Sequence, residues 1–300
     1  MKGSPAQGAM GQWVGPTRRV AAVSGYDGNW LVIDTETRHQ WRGPGRLREV
    51  SPDGKYIFCQ TGENIHMVAE DDGKSLSEDE VAATIMDYET REIDVRISLA
   101  DVLSVHPDAK QVRKQHMCFK QTLFSPNGKY ISFVLSNAWY VQHRGTEKKR
   151  HEIFLARRNG QSIRYLGPFI THPCWHPSGD AYLAVVKDSS NTTRFMLYPA
   201  DGSEPRTLGT DWLGGGHPSI QPVHYRYLSA DFHDRGKGVA TLKLFDLEKG
   251  TVEDILQAEF KDYTNDSGTH MHPAWSRDGK SLYIASAHLG HGQIYRVDLA

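Results

Sequence analysis

The sequence predicts an all-β protein built from repeated small sheets, and three observations point to it. A polar turn followed by an alternating apolar run, typical of a half-buried strand, recurs along the chain. The later turns, at Pro177, Pro222 and Arg277, stand 45 and 55 residues apart, which is the length of a four-stranded repeat. Helical periodicity is weak and confined to the short stretches SLADVLSV and LSEDEVAATIM, and the second of these is alternatively a strand. Together these features predict a β-propeller.

The turn-and-strand units define the blades in order. They read SPDGKYIFC from Ser51, SPNGKYISFV from Ser125, HPSGDAYLAVV from His176, QPVHYRYLSAD from Gln221 and SRDGKSLYIAS from Ser276. Most are followed by a second apolar run and a second turn, as in EIFLARRNGQSIRYL, RFMLYPADGSEPRTL and LKLFDLEKGTVEDIL. WLVIDTETRHQ and ATIMDYETREI carry the same pattern earlier in the chain.

The repeats predict one propeller domain over residues 1–300, with six to seven blades and seven favoured. The first blade, roughly Trp13 to Gly43, is expected to be incomplete. Because the chain ends on the third strand of a blade, in QIYRVDLA, we expect the N-terminal segment to close the ring.

Composition narrows the class of function. Lys+Arg (35) and Asp+Glu (36) cancel to a net charge of −1, so a nucleic-acid partner is not expected. No apolar run has the length of a signal peptide or a membrane span, and three cysteines without C-x-x-C spacing fit a reducing compartment. We therefore expect a cytoplasmic protein without a membrane partner, or a periplasmic one if the N-terminus is truncated. The sequence leaves the oligomeric state open.

Histidines recur at one position of the repeat. His172, His217 and His272 each precede a turn by five residues, and the same position holds Gln121 and Leu47 in two earlier blades. This position lies where the innermost strand of a blade begins, next to the expected central channel. The three imidazoles are therefore expected to point toward one place.

The last of these repeats adds a second imidazole. His270 and His272 form an H-x-H pair whose side chains share one face of an extended strand. With His217 from the preceding blade they make three candidate ligands for a divalent metal. Three neutral ligands leave the charge of the metal available to an anionic substrate.

These residues resemble those of a known family. The series GHPS, LSADFHDR, LKLFDLEKG and HMHPAWSRDGKSLYIASAHLGHGQIYRVDL is similar to the oligogalacturonate lyases and their propeller relatives over about residues 120 to 300. The resemblance implies a seven-bladed propeller that binds a divalent metal, typically manganese, with zinc or calcium as alternatives. It also implies β-elimination on uronate oligosaccharides.

The same resemblance assigns roles to individual residues. It places His217, His270 and His272 on the metal and makes His172 the catalytic base. A glutamine ligand of the family falls at Ser267 here, so Asp266 or water would have to replace it.

Other side chains are candidates for holding the substrate. Two arginines are predicted to be catalytic through contact with the uronate carboxylate. Arg235, which resembles a recurring arginine of the propeller relatives, is the first choice, and Arg150 is the second. Lower-ranked candidates for substrate binding are Gln121, His116, His233 and Tyr225.

Two functions fit this sequence. One is a metal-dependent lyase for uronate-containing glycans; the other is a non-catalytic TolB-like propeller that binds protein or glycan. A binding scaffold does not need imidazoles at matching blade positions, so the histidines favour the lyase. A propeller-linked serine hydrolase is disfavoured because the G-x-S-x-G segment is missing.

Overall fold

A computed structural model of the chain describes residues 12–14, 20–24, 29–60, 78–138, 141, 148–209, 211–234, 236–259, 270–286, 288–289 and 292–299. The chain divides into two compact units, Met1–Pro168 and Phe169–Ala300. The organisation of residues 1–300 as one domain stays a prediction. Within the described residues, the structure contains no helix that is both long enough and apolar enough to cross a membrane.

The first unit contains three antiparallel sheets of four strands each, in the orders β1-β2-β3-β4, β5-β6-β7-β8 and β12-β11-β10-β9. Each strand pairs with its neighbour in sequence, as the repeated turns predict. The strands are β1 Gln12–Val14, β2 Val20–Ser24, β3 Asn29–Asp34, β4 Gln40–Pro44, β5 Arg46–Val50, β6 Tyr56–Gln60, β7 Ala82–Asp87, β8 Ile93–Ser98, β9 Cys118–Phe124, β10 Tyr130–Ser136, β11 His151–Arg157 and β12 Arg164–Pro168.

Two short helices, α1 (Leu99–Val105) and α2 (Ala109–Val112), separate β8 from β9. Helix α1 begins with a capping box in which the Ser98 hydroxyl accepts from the Asp101 N–H and the Asp101 carboxylate accepts from the Ser98 N–H. The helical pattern in SLADVLSV is thus confirmed. In LSEDEVAATIM the strand alternative is confirmed over residues 82–86, which lie in β7.

The second unit contains two four-stranded sheets and one three-stranded sheet, with the orders β13-β14-β15-β16, β17-β18-β19-β20 and β21-β22-β23. Its strands are β13 Thr171–Trp175, β14 Ala181–Lys187, β15 Thr193–Pro199, β16 Arg206–Leu208, β17 Ser219–Ile220, β18 Tyr227–Asp234, β19 Val239–Asp246, β20 Thr251–Glu259, β21 Ala274–Trp275, β22 Ser281–Ser286 and β23 Gln293–Asp298.

The described residues hold six sheets in all, so the seventh blade that the sequence favours is not found among them. The last sheet ends at β23, in agreement with the expected three-stranded final blade. Strand β1 pairs with β2 in the first sheet, and residues 1–11 of the predicted closing segment lie outside the described residues.

The recurring turn has one structure in three blades. In the first of them the Ser51 hydroxyl donates to the Asp53 carboxylate and accepts from the Tyr56 N–H. The turns at Ser125 and Ser276 repeat both bonds. Gly54 follows at a φ of 72°, a left-handed conformation that glycine adopts without strain. The Ser-x-Asp/Asn-Gly pattern therefore joins the first two strands of these sheets.

The innermost strands β5, β9 and β13 each contain a bulge at the same place in the repeat. The pairing register shifts at Leu47 to Glu49, at Gln121 and Thr122, and at His172 and Pro173. A bulge leaves a residue outside the regular ladder and turns its side chain in a new direction. The repeat position predicted to be functional is thus one where the backbone departs from regular pairing.

The cores are apolar and well packed. In the first unit the rings of Phe133 and Phe154 lie parallel, with centroids 5.6 Å apart, and both are fully buried.

In the second unit two hydrogen bonds join the last two sheets, from the Trp275 indole to the Ser219 carbonyl and from the Gln221 amide to the Gly279 carbonyl. The histidines that precede β17 and β21 are therefore held on two sheets that are bonded to each other.

Candidate metal centre

Three imidazoles converge in the second unit. The possible ligand atoms of His217, His270 and His272 all lie within 4.8 Å of one another. Nε2 of His217 is 3.5 Å from Nδ1 of His270, and the rings of His217 and His272 have centroids 3.8 Å apart. His217 and His270 are partly buried, whereas His272 is exposed. The structure thus brings together the three residues that the sequence analysis selects as metal ligands.

Two backbone features place these rings. Gly216 has a φ of +60°, and a Cβ atom there would lie 1.5 Å from the carbonyl oxygen of Asp231. Only a residue without a side chain lets the chain pass this close to β18 just before His217. His272 has a φ of 44°, a conformation uncommon for a residue with a side chain, and Gln121 has nearly the same value at the equivalent repeat position.

A buried carboxylate lies behind the histidines. Asp231, in the middle of β18, is fully buried. Its Oδ1 accepts hydrogen bonds from Nδ1 of His217 at 2.8 Å and from the His217 backbone N–H at 2.6 Å. Its Oδ2 accepts from the backbone N–H of His272 at 3.1 Å. One side chain therefore contacts two of the three candidate ligands.

The electrostatics of Asp231 favour its charged form. Burial acts to raise its pKa, but the hydrogen bond from His217 and the charges of His217 and His233 outweigh burial and hold the pKa well below its ordinary value. An ionised carboxylate can only accept hydrogen bonds, so Nδ1 of His217 carries the proton. In the neutral form of His217, which is the form that binds a metal, the lone pair is then on Nε2, the atom that faces His270.

His233 adds a fourth ring to the cluster. It lies two residues after Asp231 on β18, and its side chain is 13% exposed. Its ring centroid is 4.4 Å from that of His270, with 31° between the ring planes. Nε2 of His233 is 3.6 Å from Oδ2 of Asp231. The predicted substrate-binding residue thus lies beside the candidate ligands.

The donor set fits a transition-metal ion. Imidazole nitrogens bind Mn, Fe and Zn, and a ligating histidine commonly donates its other ring N–H to a carboxylate, as His217 does to Asp231. Calcium prefers oxygen ligands, so three nitrogens suit manganese or zinc better. His217, His270 and His272 are therefore the residues that would hold a divalent ion.

Comparisons with known proteins identify the fold. Neither the protein-family models nor the curated proteins give a match. A solved structure described as oligogalacturonate lyase in complex with manganese is similar over 97% of this chain and 76% of its own, with a TM-score of 0.65 and 15% identity. An oligogalacturonate lyase from Vibrio parahaemolyticus matches 94% of this chain and 75% of its own, with a TM-score of 0.62 and 13% identity. The fold is a β-propeller.

The resemblance seen in the sequence is thus confirmed at the level of structure. TolB from Acinetobacter baumannii is also similar, at a TM-score of 0.44 and 19% identity, over 76% of this chain and 54% of its own. Identities this low establish the propeller fold alone.

Several predicted site residues of the propeller lie outside the described residues. Arg235, Asp266 and Ser267 are among them. His172 is described only through its backbone, in the bulge of β13. The roles of His172 as base and of Arg235 as carboxylate contact stay predictions.

Arg150 has structural partners in the first unit. Its guanidinium nitrogens donate to Gln115, Glu152 and Asp108, and its side chain is 9% exposed. Burial is the largest single influence on the pKa of Arg150 and acts to lower it. The hydrogen bond to Asp108 and the charge of Glu152 together outweigh burial, so the pKa is raised. These contacts indicate that Arg150 fastens the α1–α2 segment to β11. They do not support the predicted catalytic role.

The remaining candidates are not in the histidine cluster of the propeller. Tyr225 lies in the turn between β17 and β18, before the first residue of β18, and its ring contacts that of His176. Gln121 lies in the bulge of β9, and His116 is exposed between α2 and β9, both within the first unit. Their roles in substrate binding stay predictions.

Asp231 is the site residue that sequence reasoning missed. The signal was present in YLSADFHD, where an acid and a histidine two residues apart share one face of a strand whose opposite face carries Leu228, Ala230 and Phe232. A charged residue in a central strand is rarely buried unless it is paired. Its partners could not be named from the sequence, because they lie 14 and 41 residues away.

Proposed function

We propose that the protein is a metal-dependent lyase that cleaves uronate-containing oligosaccharides by β-elimination. The observation that carries the proposal is the convergence of His217, His270 and His272 within 4.8 Å, supported by a buried carboxylate. The similar structure described as a manganese complex of oligogalacturonate lyase supports both the metal and the substrate class.

The reaction needs a base and a way to tolerate negative charge. It breaks the C5–H bond and the C4–O bond of the uronate and forms a C4=C5 double bond, while the leaving oxygen takes a proton. A divalent ion held at the three imidazoles would neutralise the carboxylate beside C5 and so make the C5 proton more acidic.

Three residues of the chain would have separate roles in this reaction. His172 takes the C5 proton, because an imidazole titrates near neutral pH and can act as a general base there. Arg235 binds the uronate carboxylate through two parallel hydrogen bonds. His233 lies beside the metal ligands and lines the place where the sugar binds.

The test is an assay of the metal-loaded protein on a panel of uronate oligomers and polymers, followed by ultraviolet absorbance of the unsaturated product. We expect activity on at least one substrate. His172→Ala is expected to lose about 10²–10⁴-fold in rate while keeping the metal, as is usual for removal of a general base. His270→Ala is expected to lose both metal and activity.

His224→Ala is the matched control, because His224 is exposed in the turn between β17 and β18 and is expected to keep metal and activity. Undiminished activity of His172→Ala would rule out its role as base and leave the metal assignment standing. Absence of product on every substrate with metal bound would contradict the lyase and favour a binding propeller.

A further inference from the structure

The metal ligands of the propeller are supported by one carboxylate rather than by several separate groups. Asp231 is fully buried in β18, and it accepts three N–H donors, two from His217 and one from His272. These donors come from the segments before β17 and before β21, which belong to different sheets. Asp231 therefore joins the two segments that carry the candidate ligands.

We infer that Asp231 is a positioning residue that assembles the metal site before any ion arrives, by fixing the proton on Nδ1 of His217 and the backbone of His272. This inference rests on the proposed metal assignment. It goes beyond that assignment because it gives a role to a residue that does not itself bind the ion.

The contacts specify what Asp231 contributes. The hydrogen bond at 2.8 Å holds the His217 ring with Nε2 directed at His270, and the bond from the His217 backbone limits rotation of the segment as a whole. The bond to the His272 N–H holds a residue whose φ of 44° is otherwise unfavourable. Without Asp231, both features would have to be imposed by the ion.

A second contribution is charge. Three neutral imidazoles bring no negative charge to a divalent ion, whereas the carboxylate behind His217 raises the basicity of that ligand. His233 Nε2, 3.6 Å from Oδ2, lies at the same carboxylate. Asp231 thus sets both the orientation of the His217 ring and the basicity of the His217 nitrogen that would bind the ion.

The experiment compares Asp231→Asn and Asp231→Ala with the wild type, and uses Asp246→Asn as the matched control. Asp246 is a buried carboxylate on β19 of the same sheet, bonded to Arg226 and to the backbone of the next turn. The control therefore shows any general effect of losing a buried carboxylate. Only the Asp231 variants also lose the hydrogen bonds from His217 and His272.

Two readouts are used. The first is zinc and manganese affinity by calorimetry, where we expect a loss of about 10–100-fold on removing the carboxylate that accepts a hydrogen bond from a ligating histidine. Asp231→Asn keeps one acceptor oxygen for His217 and should lie at the lower end; Asp231→Ala should lie at the upper end. Asp246→Asn is expected to bind as tightly as the wild type.

The second readout is the imidazole nitrogen shift of His217 in the metal-free protein, which reports the protonated nitrogen directly. We expect the Nδ1–H form in the wild type and in Asp246→Asn, and a population of the Nε2–H form in Asp231→Ala. This signal does not depend on metal binding or on lyase activity.

Wild-type affinity in a folded Asp231→Asn or Asp231→Ala protein, with unchanged His217 protonation in the latter, would overturn the inference. If Asp231→Ala does not fold, wild-type affinity in Asp231→Asn alone overturns it. A wild-type protein that binds zinc but cleaves no uronate would instead refute the proposed function and leave the role of Asp231 intact.

Discussion

Gly216 shows how closely a single residue controls the position of a candidate ligand. Its left-handed backbone brings the chain against the Asp231 carbonyl, immediately before His217. The sequence places a run of three glycines, Gly214 to Gly216, ahead of the histidine, but the reason for the third becomes visible only when β18 is in place.

Gly216→Ala is therefore expected to displace His217, because its Cβ atom would lie 1.5 Å from a backbone oxygen that cannot move freely. We expect it to lower both the free energy of unfolding and the metal affinity. Gly250→Ala is the control, since Gly250 has a φ of +70° but open space around it, and should cost only the backbone strain of about 1–2 kcal/mol. Denaturant unfolding and calorimetry measure the two effects. Equal losses in both variants would contradict the prediction.

Candidate metal ligands could be predicted from the sequence where they recur at the same position of the repeat. His217 and His272 share an offset from the turn, and the H-x-H spacing adds His270, so three ligands could be selected without a structure. Asp231 has no equivalent offset in the other repeats, and its role depends on hydrogen bonds between segments far apart in sequence.

At the scale of elements, the α1–α2 segment is fastened to the third sheet by a buried polar network. His106 Nε2 lies 2.8 Å from Glu152 Oε2, the Asp108 N–H donates to the other His106 nitrogen, and Arg150 bonds both Asp108 and Glu152. The side chains of His106 and Glu152 are 1% and 6% exposed. The sequence indicated the helix but not this network, because its members come from two segments that lie 42 to 46 residues apart.

Arg150→Met is expected to destabilise the protein by about 3–5 kcal/mol, the usual cost of removing one partner of a buried ion pair. Arg113→Met is the control, because its ion pair with Glu78 is largely exposed and should contribute about 0–1 kcal/mol. Urea unfolding gives both values. A stable Arg150→Met protein that has lost lyase activity would instead restore the catalytic role predicted for Arg150.

At the scale of the whole molecule, Glu49 makes stability depend on pH. Burial raises the pKa of Glu49 to about 8, although the Phe124 N–H, which donates to its carboxylate, acts in the opposite direction. The folded state therefore binds this proton more tightly than the unfolded state, where the pKa is near 4.5. The contribution of Glu49 is favourable below that value and is lost as the pH rises through about 8.

Glu49→Gln should remove this dependence. A glutamine oxygen can still accept from the Phe124 N–H without carrying charge, so we expect the variant to be more stable than the wild type at pH 8 and no more stable at pH 4. Thermal unfolding of the metal-free protein across this range measures the difference. A difference in melting temperature that does not change with pH would contradict the prediction.

The bulges in β9 and β13 have a consequence for how the propeller acquires specificity. Gln121 in β9 and His172 in β13 both lie outside the regular pairing, so two unlike side chains share one backbone arrangement. Since a bulged residue lies outside the ladder, exchanging its side chain leaves strand registration intact. Laboratory evolution toward new sugars should accordingly randomise Gln121 first and keep His172, the proposed base, and the buried Leu47 unchanged.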